Sequence, residues 1–223
     1  MDVERPVATV SSSARGDLSP LRTVAAYLGR DVLLPRRSAI FLDRDGVIVK
    51  NVTREDGTVG SPRTLAEFQL VKSVATLTRR AHEAGYALVV VTNQPDIARG
   101  ELNPLTLESM NEILLRSIPH LDAIYTCPHD DTDGCVCRKP RPGLIKFAAD
   151  ELRLQISDSW LIGDRSSDIE AGSVARIRPI CVPSQIKGRK ATRMCKATIQ
   201  HIHASSIAEA FEIATGLSEP SQV

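Results

Sequence analysis

Asp43 and Asp45 stand two residues apart in "FLDRDGVI", where an apolar run gives way to charge. Alternation along a strand puts such a pair on one side of the chain, and Gly46 permits a sharp turn that exposes both. Carboxylates held that close repel unless a cation or a shared proton lies between them. Asp164 and Asp168 in "GDRSSD" follow another apolar run, and the four carboxylates together make an oxygen-rich set suited to Mg2+. An Asp-x-Asp pair by itself is more often a solvated turn; the polar residues that close other apolar runs reverse that reading. "VVVTNQ" presents Thr92, Asn93 and Gln94, whose hydroxyl, amides and neighbouring backbone N–H groups suit phosphate oxygens or a plain polar turn. "RKP" adds Arg138, a planar fork for an anion, and Lys139, a compact charge for a phosphoryl group.

A second constellation lies just before that pair. "CPHDDTDGCVC" gathers Cys127, His129, Cys135 and Cys137, three thiolates and one imidazole. Four protein ligands close a tetrahedral Zn2+ site and leave no position for water, so the ion would be structural. It would brace the loop and aim Arg138 and Lys139. Buried reduced cysteines are the alternative, but Asp130, Asp131, Asp133 and Gly134 make the loop polar. The Cys-x-His and Cys-x-Cys spacings are tighter than the familiar two-residue gaps. Five cysteines is an odd count, which argues against a disulfide scaffold. Cys181 reads as core. His201 and His203 in "QHIH" read as a surface pair with no evident partner.

These residues need a frame. Apolar runs "SAIFLD", "YALVVVT", "LDAIYT", "SWLIGD" and "RPICVP" alternate with helical patterns at "SVATLTRRAHEAG", "LTLESMNEILLRSI", "PGLIKFAADEL", "SDIEAGSVA" and "SIAEAFEIATG". Such alternation predicts a doubly wound α/β fold, a parallel sheet with helices on both faces. Ligands in such sheets bind outside the carboxyl ends of the strands, where the polar punctuation falls. "EFQLV" and "ATIQHIHA" are expected as further strands. Residues 1–37 read as an extension, partly disordered, with one helix over "SPLRTVAAYLG" capped by Ser19. The domain is expected over 38–216, with a tail at 217–223.

A formal net charge of +1 and 4% aromatic residues argue against a nucleic-acid partner, and no run is long enough to span a membrane. No secretory signal is visible, so a cytoplasmic location is expected. Nothing suggests an unusual apolar stripe, and a monomer is expected.

Asp43-x-Asp45-Gly46, Thr92, Lys139-Pro140 and Gly163-Asp164-x-x-x-Asp168 resemble the four motifs of the haloacid dehalogenase-like phosphatases. More narrowly, "FLDRDGVI", "TNQPDIARG", "CPH…CVCRKPRPG" and "GDRSSDIEAG" look like the heptose 1,7-bisphosphate and histidinol-phosphate phosphatases. The resemblance covers roughly residues 38 to 183. It implies a Rossmann-like fold, a zinc-bound loop, and Mg2+-dependent removal of the C7 phosphate of D-glycero-D-manno-heptose 1,7-bisphosphate, a small phosphorylated sugar, through an aspartyl-phosphate. The short stretch between Asp45 and "FQLV" leaves no room for a large cap domain. Asp43 would be the nucleophile and Asp45 the acid and base. Asp43, the Asp45 carbonyl and Asp164 would hold Mg2+, with Asp168 supporting. Thr92 and Lys139 would bind the phosphoryl oxygens, with Asn93, Gln94 and Arg138 on the substrate. Histidinol phosphate is the nearest rival substrate; a non-enzymatic zinc module and a nucleic-acid 3′-phosphatase are rivals of other kinds. Pro95-Asp96 and Arg176 depart from the small residues and the glycine expected at those places.

Overall fold

The computed structural model describes residues 7–10, 20–25, 36–188, 195 and 197–217. Strands β1 (Val7–Val10), β2 (Leu21–Ala25) and β3 (Ser38–Leu42) come first, followed by a short hairpin of β4 (Val52–Thr53) and β5 (Val59–Gly60). Helix α1 (Val74–Glu83), β6 (Ala87–Asn93), α2 (Pro104–Ser117), β7 (Ala123–Cys127), α3 (Gly143–Glu151), β8 (Gln155–Gly163), α4 (Ser166–Val174), β9 (Arg178–Cys181), β10 (Ile202–His203) and α5 (Ile207–Thr215) complete the order.

Local chemistry explains the helix ends. Asn103 accepts a hydrogen bond from Leu105 N at 2.8 Å with Pro104 in the first turn of α2, and Ser206 caps α5 at Glu209 N, 3.1 Å. Gly216, at φ +70°, closes α5 in the left-handed conformation that suits glycine.

The strands run β1-β2-β7-β6-β3-β8-β9-β10 across one sheet. From β7 to β10 every pairing is parallel, and the apolar strands are buried on both faces. Alternate residues of β3 feed two cores. Ile40 and Leu42 pack with α1, α5 and the end of α2, while Ala39 and Phe41 pack with α3 and α4. The chain steps from β3 to β6 on one side and later to β8 on the other. The crevice at this switch of direction opens at the carboxyl ends of β3, β6 and β8.

Three expectations differ from what is seen. The stretch read as a helix contributes β2 instead, antiparallel to β7 from Leu21↔Thr126 to Val24↔Ala123, with β1 antiparallel outside it. Without it β7 would end the sheet with unpaired N–H and C=O groups, and the β-branched Thr23 and Val24 suit a pleated strand better than a helix. The sheet is therefore mixed. Ser19 and the disorder expected of the extension fall outside the described residues. "EFQLV" contributes only one bridge, Leu70 to Val49, and "ATIQHIHA" pairs only at Ile202–His203. The first run adds no strand to the sheet, and the second extends it by only the two residues of β10.

Candidate active site

Asp43 follows β3, Thr92 and Asn93 end β6, and Asp164 follows β8, so three neighbouring strands deliver these groups to one place. Lys139 joins them from the loop after β7. Its Nζ lies 2.7 Å from Asp43 Oδ1, 2.6 Å from Asp168 Oδ1 and 2.8 Å from the Val91 carbonyl, and the residue is buried. Asp43, Asp164 and Asp168 bring carboxylate oxygens within 4.8 Å of one another. Burial, and the nearby Asp168 and Asp45 charges, push Asp43 up to about 6 against the opposing pull of Lys139. Burial and the Asp43 and Asp168 charges push Asp164 up to about 7. Burial alone would lower Lys139, but Asp168 and Asp43 outweigh it and hold the ammonium firmly protonated.

Both Asp164 carboxylate oxygens are buried without a hydrogen bond. Arg165 Nε stands 4.0 Å from Oδ1, too far for a hydrogen bond; a buried carboxylate without one is costly, and a divalent cation on this all-oxygen face removes that cost. The donor set therefore fits Mg2+. Gly46, at φ +91°, makes the close approach possible, since a Cβ there would sit 2.2 Å from Asp164 Oδ2.

Asp45 has different partners. Arg44, wholly buried, grips it with Nε to Oδ1 at 3.0 Å and Nη2 to Oδ2 at 2.9 Å. Gln94 Nε2 donates to Asp45 Oδ2 at 2.6 Å and reaches Thr92 Oγ1 at 3.0 Å. Gln94 is thus aimed at the carboxylate rather than out into the cavity. Asn93 likewise spends both amide ends on the backbone of Lys139, accepting from its N–H and donating to its carbonyl, each at 3.0 Å. Both residues lie at the site, but their side chains hold the carboxylate and the lysine in place.

The zinc-ligand candidates converge as their spacing implied. Cys127 Sγ lies 3.5 Å from His129 Nδ1 and 3.6 Å from Cys135 Sγ, and Cys137 Sγ lies 3.3 Å from the same nitrogen. Tetrahedral Zn–S and Zn–N bonds imply edges of roughly 3.5–3.8 Å. Hydrogen bonding from Cys137 outweighs burial and holds the Cys127 thiol down to about 6, while the same interaction pushes the Cys137 thiol up, so the pair shares a proton that a metal would displace. Asp130 and Asp133 cap the short turn Asp131–Asp133, and Gly134 takes φ +65° to bring Cys135 back.

Asp43, Asp45, Thr92, Lys139 and Asp168 border a cavity of about 910 Å³. The β4–β5 hairpin and the zinc loop wall it, and Arg54, Arg63, Arg99, Arg138 and Arg165 line it. Arg138 Nε contacts Asp131 Oδ1 at 2.6 Å. Sequence reasoning passed over Arg44, Arg54, Arg63, Arg99 and Arg165. Arg44 was in plain view between the two aspartates, whereas the others are scattered surface arginines until the chain folds.

Residues 136–210 match the HAD-hydrolase-like family model. The D-glycero-beta-D-manno-heptose-1,7-bisphosphate 7-phosphatase of Helicobacter pylori is 35% identical over 151 residues, 66% of this chain and 83% of that protein. The chain belongs to that phosphatase family. The enzyme of the same name from Pseudomonas aeruginosa is 35% identical over 150 residues, 66% of this chain and 81% of that protein. Among solved structures, the D,D-heptose 1,7-bisphosphate phosphatase of B. bronchiseptica, complexed with magnesium and phosphate, aligns with a TM-score of 0.67. It is 27% identical and covers 79% of this chain and 97% of its own. The family is one of phosphoric monoester hydrolases, and its fold is the one described above.

Proposed function

We propose that this chain removes the C7 phosphate of D-glycero-β-D-manno-heptose 1,7-bisphosphate through an aspartyl-phosphate. The observation that carries the reading is the convergence of Asp43, Lys139, Thr92 and the Asp164 carboxylate, buried without a hydrogen bond, at the carboxyl ends of three adjacent strands. The relatives' shared name supports the substrate, and specifies the β anomer.

In this reading an Asp43 carboxylate oxygen attacks phosphorus and the bond to the C7 oxygen breaks. Asp45 gives the departing alcohol its proton, then takes one from the water that cleaves the aspartyl-phosphate and restores Asp43. Arg44 and Gln94 orient Asp45 for both transfers. Lys139 and Thr92 receive the phosphoryl oxygens, donors of a kind whose removal costs ~3 to 4 kcal/mol of barrier. Asp43, Asp164 and the Asp45 carbonyl would hold Mg2+, which supplies positive charge beside the transferring group. Asp168 Oδ2 accepts from Arg165 N at 3.0 Å while Oδ1 meets Lys139, so its work is to place the lysine and the turn. Arg138 meets the second phosphate from the cavity wall. Zn2+ in the Cys127, His129, Cys135 and Cys137 set would fix the loop that carries Arg138 and Lys139.

The test is phosphate release with Mg2+ from the α and β heptose 1,7-bisphosphates and from histidinol phosphate. Preference for the β heptose, abolished in Asp43→Asn, is the expected outcome. Preference for histidinol phosphate would move the substrate and keep the chemistry. Undiminished turnover by Asp43→Asn would remove the nucleophile from the scheme.

A further inference from the structure

Cys181 ends β9, and Cys195 and His201 lie on the segment that returns to the sheet as β10. Far apart in sequence, their ligand atoms fall within 4.8 Å of one another, with Cys195 Sγ 3.8 Å from His201 Nε2. The imidazole was expected on the surface without a partner; instead it is half-buried against two buried thiols. Its other nitrogen, Nδ1, lies 2.5 Å from the Ile199 carbonyl oxygen. A carbonyl has no proton to give, so Nδ1 carries the hydrogen and Nε2 turns its lone pair toward the sulfurs. Metal-bound histidines show this same pattern, the far nitrogen donating to a backbone carbonyl and fixing the ring. His203 adds an edge-on ring contact to His201, centroids 4.2 Å apart. Ile169, Ala197 and Ile199 supply the apolar surroundings.

We propose that Cys181, Cys195 and His201 form a second metal site, separate from the loop cluster, that takes Zn2+ through two thiolates and one imidazole. Three protein ligands leave a fourth position for water or a small anion. Cys181 stands in register with Gly163, the residue before Asp164. The ion ties Cys195 and His201 to the strand flanking the proposed catalytic carboxylates, a bracing role on the opposite side of the site from the zinc loop.

The experiment is elemental analysis of the full chain after equilibration with zinc and removal of loosely held ion, beside Cys195→Ser, His201→Gln and Cys135→Ser. Cobalt substitution supplies a second readout, the thiolate-to-metal charge-transfer absorption. Two zinc ions per wild-type chain are expected, and one in each variant, with Cys195→Ser and His201→Gln keeping phosphatase activity. The cobalt charge-transfer band should weaken, but persist, in Cys195→Ser. A single zinc that survives both Cys195→Ser and His201→Gln overturns the proposal, and so do two zincs that survive both. A single zinc lost in Cys195→Ser but retained in Cys135→Ser would support this site and remove the ion from the loop instead.

Discussion

Lys139→Met removes the ammonium that touches both Asp43 and Asp168, at 2.7 and 2.6 Å. The methionine stem is of similar length, so the substitution deletes charge more than volume. Stripping one partner from a buried ion pair costs about 3–5 kcal/mol, because the remaining charge has no water to turn to. For a chain of this size that is a fall in Tm of roughly 6–20 °C. Proton uptake limits the damage. Asp43 stands at about 6 with the lysine present, because burial outweighs the lysine's attraction, and removing that attraction can only raise it. The folded variant then binds a proton that the unfolded chain does not, so the loss shrinks as pH falls. Thermal unfolding of the metal-free protein at pH 8 and pH 5.5 should show the larger deficit at pH 8. With Mg2+ and substrate at pH 8, kcat should fall by about 10²–10³, the range for removing one pre-placed donor. A variant within 2 °C of wild type at pH 8 and within about ten-fold in kcat would refute the account of Lys139 as the counter-charge.

Three other perturbations probe different parts of the site. Gly46→Ala places a methyl 2.2 Å from Asp164 Oδ2 at a backbone φ of +91°, and should cost about 100-fold in kcat while weakening Mg2+ binding by calorimetry. Cys135→Ser should lose the loop zinc by elemental analysis, lower Tm, and depress kcat although no catalytic group is altered. Mg2+ should raise Tm more at pH 8 than at pH 5. Asp43 and Asp164 are raised from 3.8 to about 6 and about 7, so the metal-free fold binds their protons more tightly than the unfolded chain. The stability they contribute is therefore present at low pH and lost as pH rises through 6 to 7, where the ion takes the place of the protons. Equal Mg2+ shifts at both pH values would contradict that linkage.

The carboxylates proposed to be catalytic stood out in the sequence because their chemistry is local. Asp43, Asp45 and Asp164 follow strand ends that apolar patterning marks, Asp168 lies just beyond in the first turn of α4, and the candidate zinc ligands are close neighbours in sequence. Partners are another matter. Strand alternation sends Arg44 away from Asp43 and Asp45, but the chain turns after β3, with Arg44 O accepting from Ile48 N at 3.0 Å and Val49 N at 2.9 Å, and the guanidinium folds back onto Asp45. Asn93 and Gln94 carried the right chemistry for a phosphate cradle, and only the fold shows it directed at Lys139 and Asp45. Cys181, Cys195 and His201 come together through the pairing of β9 with β10, which no local pattern announces. Arg176 illustrates the reverse case. A glycine was expected there, and the backbone adopts φ +62°, the left-handed region that a glycine enters without strain.

Pro95-Asp96, the other departure, belongs to the cavity rim rather than to the chemistry below it. Asp96 receives Arg63 Nε at 2.7 Å and lies 3.7 Å from Arg99 Nη1, and Arg99 continues to Asp130 at 2.6 Å. Arg63 follows the β4–β5 hairpin, and Asp130 caps the turn inside the zinc loop. The four residues form a chain of alternating charge from one wall of the cavity to the other. Partly exposed ion pairs contribute little stability, about 0–1 kcal/mol each, so their consequence lies in geometry. They set how far the hairpin stands from the zinc loop, and hence the width of the opening through which a bisphosphate would pass. The catalytic floor is tied to strand ends in the sheet, whereas the rim rests on side chains that can change without disturbing that sheet. Under the proposed mechanism, substrate choice can therefore drift at Arg63, Asp96, Arg99 and Asp130 while Asp43, Asp45, Lys139 and Asp164 would keep the same reaction.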